Sequence, residues 1–169
     1  MRYRDYVRNS AILEDGLAKT LGFEKILSPA DKIIVVSEPT SLNPKVQLAI
    51  LEGRPGYLMK YINDKRVIGI MILGFESDRN LIEHAKHKEK LLVINARDLT
   101  ACGEREKARN ITRARELMKN ALHAKVSIAV VSGAEREEDL LSTQQLLELA
   151  KMLGASEQQA KLMLTRVEA

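Results

Sequence analysis

Three arginines on the longest predicted helix have a spacing that suits phosphate binding. Arg105, Arg109 and Arg113 recur every fourth residue, so a helix with 3.6 residues per turn stacks them along one face. Each planar guanidinium can hold two phosphate oxygens with its forked N–H groups. The same pattern is also typical of an ordinary solvated helix face, and on spacing alone we favour that interpretation.

Arg97 stands at a different kind of position, directly after the apolar run at residues 91–94. Folds that combine helices with parallel strands place their binding groups at the carboxyl ends of the strands, so this position indicates function. An ion pair with the neighbouring Asp98 would explain the same arginine as a structural residue. The sequence supports the two interpretations equally.

A second polar segment follows the apolar run at residues 126–131. Its Gly133 permits a tight turn or a close approach of the backbone. The segment then becomes acidic, with four carboxylates at Glu135, Glu137, Glu138 and Asp139. Carboxylates at such an edge could bind a metal ion, but we favour their complementing the positive start of the next helix.

Other residues with catalytic chemistry lack the partners that a site needs. His84 and His87 share a helix face, yet lysines surround them and no HxH, HExxH or CxxC motif occurs. Cys102 has no histidine placed beside it by a motif, and Ser132 lacks the GxSxG elbow of hydrolases. We therefore expect no catalytic residue, no metal site and no bound cofactor in this chain.

The elements that would position these residues alternate between strand and helix. The apolar runs are continuous, which indicates strands covered on both faces, as in a parallel sheet wrapped by helices. The predicted strands are residues 3–7, 24–27, 33–36, 57–62, 67–73, 91–94 and 126–131. The predicted helices are residues 11–21, 46–51, 78–88 and 104–124, with two more that begin at Ser142 and Ser156.

Local signals mark the ends and faces of several helices. Ser142 with Gln145, and Ser156 with Gln159, have the spacing of capping boxes, and Ser77 is a candidate cap for the helix after it. The helical period predicts an apolar face on the longest helix, opposite the arginines. Its members are Ala108, Ile111, Ala114, Met118, Ala121 and Leu122.

This order of elements predicts one α/β domain over residues 1–169. The favoured architecture is a compact TIM-like (β/α) barrel, complete or incomplete. A full barrel usually takes about 250 residues, so a barrel of this length would be compressed, with short loops or missing helices. The alternative is an open, doubly wound parallel sheet.

Composition limits the function. The chain has 169 residues, of which 45% are hydrophobic, enough for a sizeable core. A single cysteine excludes an internal disulfide and favours the cytoplasm, and we expect neither a membrane span nor a secretory signal. A net charge of +4 permits nucleic-acid binding without demanding it. Only 4% of the residues are aromatic, so stacking of bases is a poor model for an RNA contact.

The segment from residue 91 onward resembles a known family. It reads LLVINARDL, then EREKARNI at the start of the basic helix, then KVSIAVVSGA, and finally LLELAKMLGASEQQAKLML. This order is similar to the C-terminal half of the archaeal and eukaryotic ribonuclease P protein component 3 family, the p-thirty subunit. Lys125-Val126, Ser132-Gly133-Ala134 and Leu153-Gly154 carry most of the likeness. Residues 4–7 and 21–23 resemble the family's first β-α unit loosely.

The resemblance implies a TIM-like barrel without metal ligands, acting as a protein subunit of ribonuclease P, which removes the 5′ leader of precursor tRNA. The RNA subunit would supply the catalytic centre and its magnesium ions. The partners implied are that RNA, the ferredoxin-like protein component 2 and, through the complex, precursor tRNA. The implied RNA-binding residues are Arg97, Arg105, Lys107, Arg109, Arg113 and Lys125.

The sequence departs from the family in two ways. Lys107 stands where the family commonly has arginine, which keeps the charge but loses the forked contact. The chain also ends soon after its last helix, so the sequence leaves open whether the barrel closes. Two other functions stay open: a small barrel phosphoesterase that uses the acidic segment with His84 or His87, and a protein-interaction module without an RNA role.

Overall fold

The computed structural model describes residues 4–7, 17–23, 25–27, 33–37 and 48–165. Most of the helix predicted at residues 11–21 lies outside them. Seven strands occur in the described residues: β1 Arg4–Tyr6, β2 Lys25–Leu27, β3 Ile33–Ser37, β4 Leu48–Gly53, β5 Val67–Ile72, β6 Leu91–Asn95 and β7 Ile128–Val131. Seven α-helices accompany them: α1 Leu17–Thr20, α2 Pro55–Tyr61, α3 Arg79–His87, α4 Arg97–Thr100, α5 Glu104–Ala124, α6 Thr143–Met152 and α7 Glu157–Met163.

The strands form a parallel sheet in sequential order, β3-β4-β5-β6-β7, while β1 and β2 pair in parallel separately. Sequential order means that every crossover steps in the same direction. A doubly wound sheet would reverse its direction at a switch point, so the order favours the barrel-like prediction over the alternative. Within the described residues the sheet does not close.

Two apolar layers cover the two faces of this sheet. The larger layer packs the sheet against the helices and includes Leu51, Ile70, Leu92 and Ile128. The smaller layer lies on the other face and contains Tyr6, Ile50, Met71, Val93, Ala129 and Val131. In β4, β6 and β7, and in β5 from Ile70 onward, alternate residues enter alternate layers, which explains the continuous apolar runs in the sequence.

Two neighbouring predictions were wrong in type. Residues 46–51 were expected to be helical, but β4 Leu48–Gly53 is a strand, because its apolar residues fill both layers. Residues 57–62 were expected to be a strand, but α2 Pro55–Tyr61 is a helix. Leu58 and Ile62 are four residues apart and both buried, and Pro55 opens the helix where its missing N–H costs nothing.

The two capping boxes predicted from the sequence are confirmed. Both capping boxes are present, Ser142 with Gln145 and Ser156 with Gln159. At the start of α3 the cap is Asp78, not the predicted Ser77, since the Asp78 carboxylate accepts a hydrogen bond from Leu81 N at 2.8 Å. In the part of the chain that the structure describes, no helix combines the length and apolar content of a membrane span.

Candidate functional site

Helix α5 is the element that positions the basic residues. It spans Glu104–Ala124 as predicted and ends at Lys125, whose φ of 62° stops the helix. Its buried face differs in part from the predicted one: Ala108 is exposed, whereas Asn110 and Leu117 are buried. Asn110 is a polar member of this face because its amide donates to Asp98 O at 3.1 Å.

The arginine row lies on the solvent side of α5. Arg105, Arg109 and Arg113 are all exposed. Arg109 makes an ion pair with Glu106 at 3.2 Å, with the two side chains 57% and 54% exposed, so solvent weakens this pair strongly. Arg105 and Arg113 make no ion pair with any other described residue. The row therefore offers three guanidinium groups to an external ligand.

The other two basic residues predicted with this row lie elsewhere. Lys107 is half-buried in the first turns of the helix, near the row in sequence but turned from its face. Lys125 is exposed at the far end, about 18 Å along the axis from Arg113 at 1.5 Å per residue. The structure thus brings the three arginines together and leaves the two lysines apart from them.

A polar cleft lies beside the distal end of the same face. The Asn120 amide donates to Ser77 Oγ at 2.8 Å and joins α5 to the start of α3. Arg79 and His123 also line this cleft, whose volume is about 340 Å³. Sequence reasoning did not single out Asn120 or Arg79, because their proximity depends on the packing of α3 on α5. The cleft enlarges the exposed polar surface that adjoins the arginine row.

Arg97 has partners of its own at the carboxyl end of β6. Its Nε donates to Asp139 Oδ2 at 3.0 Å, and an Nη donates to Glu135 Oε2 at 2.9 Å. These partners come from the acidic segment after β7. The neighbouring Asp98 instead accepts from the Asn95 amide at 3.1 Å. Arg97 thus forms structural ion pairs, but with residues about 40 positions away in the chain. These ion pairs leave its guanidinium less available to a phosphate.

Asp5 lies at the same edge of the sheet and is fully buried. Its carboxylate accepts hydrogen bonds from Tyr6 N at 2.8 Å, from Ser132 N at 2.7 Å and from the Ser132 hydroxyl. Burial raises the pKa of Asp5 from 3.8 to about 6, although hydrogen bonds from Ser132 and Tyr6 act in the opposite direction. Asp5 joins β1 to the residue that follows β7.

Gly133 completes this edge and confirms the prediction of a close backbone approach. Its φ is 61°, and a Cβ placed there would overlap the Asn95 side chain. Its N–H donates to Tyr6 O at 3.0 Å. Asn95 is itself buried, and its Oδ1 accepts from Arg97 N at 3.1 Å. The sequence indicated Gly133 but gave no role to Asp5 or Asn95, because their contacts with Ser132 and Gly133 join residues that are far apart in the chain.

The remaining candidates make local contacts. His84 and His87 are exposed on α3, and His84 Nδ1 lies 2.9 Å from Asn80 O. Cys102 is half-buried, with its sulfur 3.8 Å from Asp98 O. Among the residues that the structure describes, no three His, Cys, Asp or Glu side chains are grouped so as to hold a metal ion.

Comparison with known proteins identifies the fold. No family model and no curated protein matches the sequence. A chain in the cryo-EM structure of archaeal ribonuclease P with mature tRNA is similar at a TM-score of 0.70 and 16% identity, over 95% of this chain and 76% of that one. A. niger ochratoxinase is similar at a TM-score of 0.57 and 14% identity. That match covers 80% of this chain but only 38% of the ochratoxinase chain.

Proposed function

We propose that this chain is an RNA-binding protein subunit of ribonuclease P and takes part in removing the 5′ leader from precursor tRNA. The observation that carries the proposal is the fold shared with a chain of the archaeal enzyme, at a TM-score of 0.70 over 95% of this chain. The exposed arginine row on α5 supports it independently of the fold.

In finer detail, the chain would be protein component 3, working in the cytoplasm. The RNA subunit would provide the catalytic centre and bind the magnesium ions, and this chain would contribute no catalytic residue. It would pair with the ferredoxin-like component 2 and meet precursor tRNA through the assembled complex. The local resemblance of residues 91–164 to that family supports this assignment.

The arginine row would bind the phosphate backbone of the RNA. Exposed guanidinium groups attract phosphates and release counterions on contact, so affinity should depend strongly on salt. Lys107 and Lys125 would add charge at either end of the helix. Arg97 would act mainly as a positioning residue, because two carboxylates already hold its side chain.

The phosphoesterase alternative has less support. Its best carboxylates, Glu135 and Asp139, are the two that hold Arg97. Using them as metal ligands would leave that half-buried guanidinium without its partners. Glu138 is exposed and pairs with Arg136 at 3.5 Å.

The test is RNA affinity measured over a salt series. The triple variant Arg105→Ala, Arg109→Ala, Arg113→Ala should bind ribonuclease P RNA more weakly. The slope of log affinity against log salt should fall by about 0.7–0.9 for each phosphate that the variant no longer binds. Arg136→Ala is the matched control, because this arginine is also exposed but lies on the acidic segment.

Reconstituted cleavage of precursor tRNA provides the second measurement. Omitting the chain should lower cleavage, and adding the triple variant should restore it only in part. Unchanged affinity and salt slope in the triple variant would refute the assignment of this face. Cleavage that is identical with and without the chain would refute the proposed function.

A further inference from the structure

The opposite flank of α5 carries a groove that shares Lys125, but none of the three row arginines, with the proposed RNA contacts. One part has a volume of about 430 Å³ and is lined mainly by Arg115, Lys119, Leu122 and Met152. A second part, of about 230 Å³, is lined by Leu122, Lys125 and Leu162 among others. Leu122 borders both cavities, so the two adjoin on α5, one beside the end of α6 and the other beside α7. We refer to the two adjoining cavities as the groove.

Contacts confirm that this flank is separate from the arginine row. The Nε of Arg115 donates to Met152 O at 3.0 Å, which ties this side of α5 to the end of α6. On the other side, Asn120 bonds to Ser77 and Arg113 approaches Gly74. The two flanks of α5 thus face different neighbours.

The groove concentrates exposed apolar surface. Three large hydrophobic side chains are exposed among the described residues, and two of them, Met152 at 41% and Leu162 at 38%, lie here. The third, Leu73, lies on the short turn before α3. Exposed apolar side chains clustered beside a cavity mark an interaction site more often than scattered ones do.

The rim of the groove is basic and its charges are unpaired. Arg115, Lys119 and Lys125 make no ion pair with another described residue. By contrast, Lys151 of α6 pairs with Glu148 at 2.9 Å, and Lys161 of α7 pairs with Glu157 at 2.5 Å. The lysines of α6 and α7 are therefore paired with glutamates of the same helix, whereas the three basic side chains of the rim lack an ion pair among the described residues.

We propose that this groove binds an acidic amphipathic helix of a protein partner. The rim from Arg115 to Lys125 extends about 15 Å, which matches about ten residues, or three turns, of a docked helix. Apolar residues spaced i, i+4, i+7 would contact Leu122, Met152 and Leu162. Flanking carboxylates would face the three basic side chains. The proposal does not depend on the ribonuclease P assignment.

RNA is the less favoured occupant of this surface. The residues that line it include no aromatic side chain on which a base could stack. Ser127 and Gln159 also line the second part, but the exposed side chains of Met152 and Leu162 are apolar and would gain no apolar contact from phosphates. A helix with one apolar face and acidic edges matches both features of the groove.

The test uses the full chain and a synthetic 14-residue helical peptide with leucines at i, i+4 and i+7 and glutamates at the flanks. Fluorescence anisotropy should show binding of this peptide and much weaker binding of a version with lysines in place of the glutamates. Met152→Asp and Leu162→Asp should each weaken binding of the acidic peptide about tenfold or more. Leu73→Asp is the matched control and should leave the affinity unchanged, because Leu73 is equally exposed but lies outside the groove.

Other results would overturn the proposal. Equal binding of the acidic and basic peptides, or binding of neither, would exclude an acidic helix as the occupant. Loss of RNA affinity in Met152→Asp and Leu162→Asp would assign the groove to RNA. A dimer in sedimentation that Met152→Asp dissociates would assign it to a second copy of this chain. Since the RNA test changes other residues, the two proposals can fail separately.

Discussion

The carboxyl edge of the sheet and the outer face of α5 both carry charge, but the fold treats them in opposite ways. At the sheet edge, Asp5 is buried among donors and Arg97 is held by two carboxylates from another segment. On α5, Arg105 and Arg113 are exposed and unpaired within the described residues. The edge uses its charges to join β1, β6 and the segment after β7, whereas α5 leaves its arginine row exposed to solvent.

This contrast shows why position in a fold does not by itself identify a site. The ends of parallel strands are where function is expected in such folds, yet here the polar groups at the described strand ends bond mostly to one another. The helix face, which spacing alone suggests to be ordinary solvated surface, keeps Arg105 and Arg113 without an ion pair among the described residues.

The largest effect should come from Gly133→Ala. The added methyl would overlap Asn95, and the positive φ adds strain, so we expect a loss of about 3 kcal/mol or more in the free energy of unfolding. Gly154→Ala is the control: it shares a positive φ of 109° but meets nothing within 4 Å. Its cost should be only about 1–2 kcal/mol. Urea denaturation of both variants gives the comparison, and equal costs would contradict the account of the Gly133–Asn95 contact.

The second effect concerns Asp5 and pH. The pKa of Asp5 is about 6 in the folded chain, above its ordinary value of 3.8. Between pH 3.8 and about pH 6, Asp5 therefore keeps its proton in the folded chain and loses it in the unfolded chain. Stability should therefore fall as the pH rises from about 4 to about 6, by about 3 kcal/mol at most, and then level off. Asp5→Asn cannot titrate, so its urea-denaturation profile should lack this fall. Parallel profiles for the two proteins would show that Asp5 titrates normally.

The third effect compares one ion pair from each region by double-mutant cycles. Arg97→Met with Asp139→Asn should show a coupling of about 1–2 kcal/mol, because the pair is only partly exposed and hydrogen-bonded. Arg109→Met with Glu106→Gln should show at most about 0.5 kcal/mol, since both side chains are more than half exposed. Similar couplings for the two pairs would remove the contrast between the regions.

The smallest effect should come from the unpaired arginines. Arg105→Ala and Arg113→Ala should each change the free energy of unfolding by no more than about 0.5 kcal/mol, because neither side chain is buried. Thermal melts measured alongside the RNA-binding curves separate the effect on stability from the effect on RNA affinity. A loss of several degrees in melting temperature would indicate that the row supports the fold rather than a ligand.

The sequence by itself determined the features that depend on local period and local chemistry. The 3.6-residue period placed α5 at Glu104–Ala124 with its arginines outward, and serine-to-glutamine spacing located two capping boxes. The continuous apolar runs indicated a parallel sheet covered on both faces. These signals succeed because each is carried by residues within a few positions of one another.

Only the tertiary structure decided the features that join distant residues. Residues 48–53 form a strand where the sequence predicted a helix, and residues 55–61 form a helix where it predicted a strand. Burial in the two layers and packing against the sheet outweigh the weak local preference of each segment. The partners of Arg97 lie about 40 positions away, and Asp5 and Ser132 are separated by 127. The groove at Leu122, Met152 and Leu162 likewise depends on how α5, α6 and α7 pack together. A short-range sequence pattern does not predict which helices pack against one another.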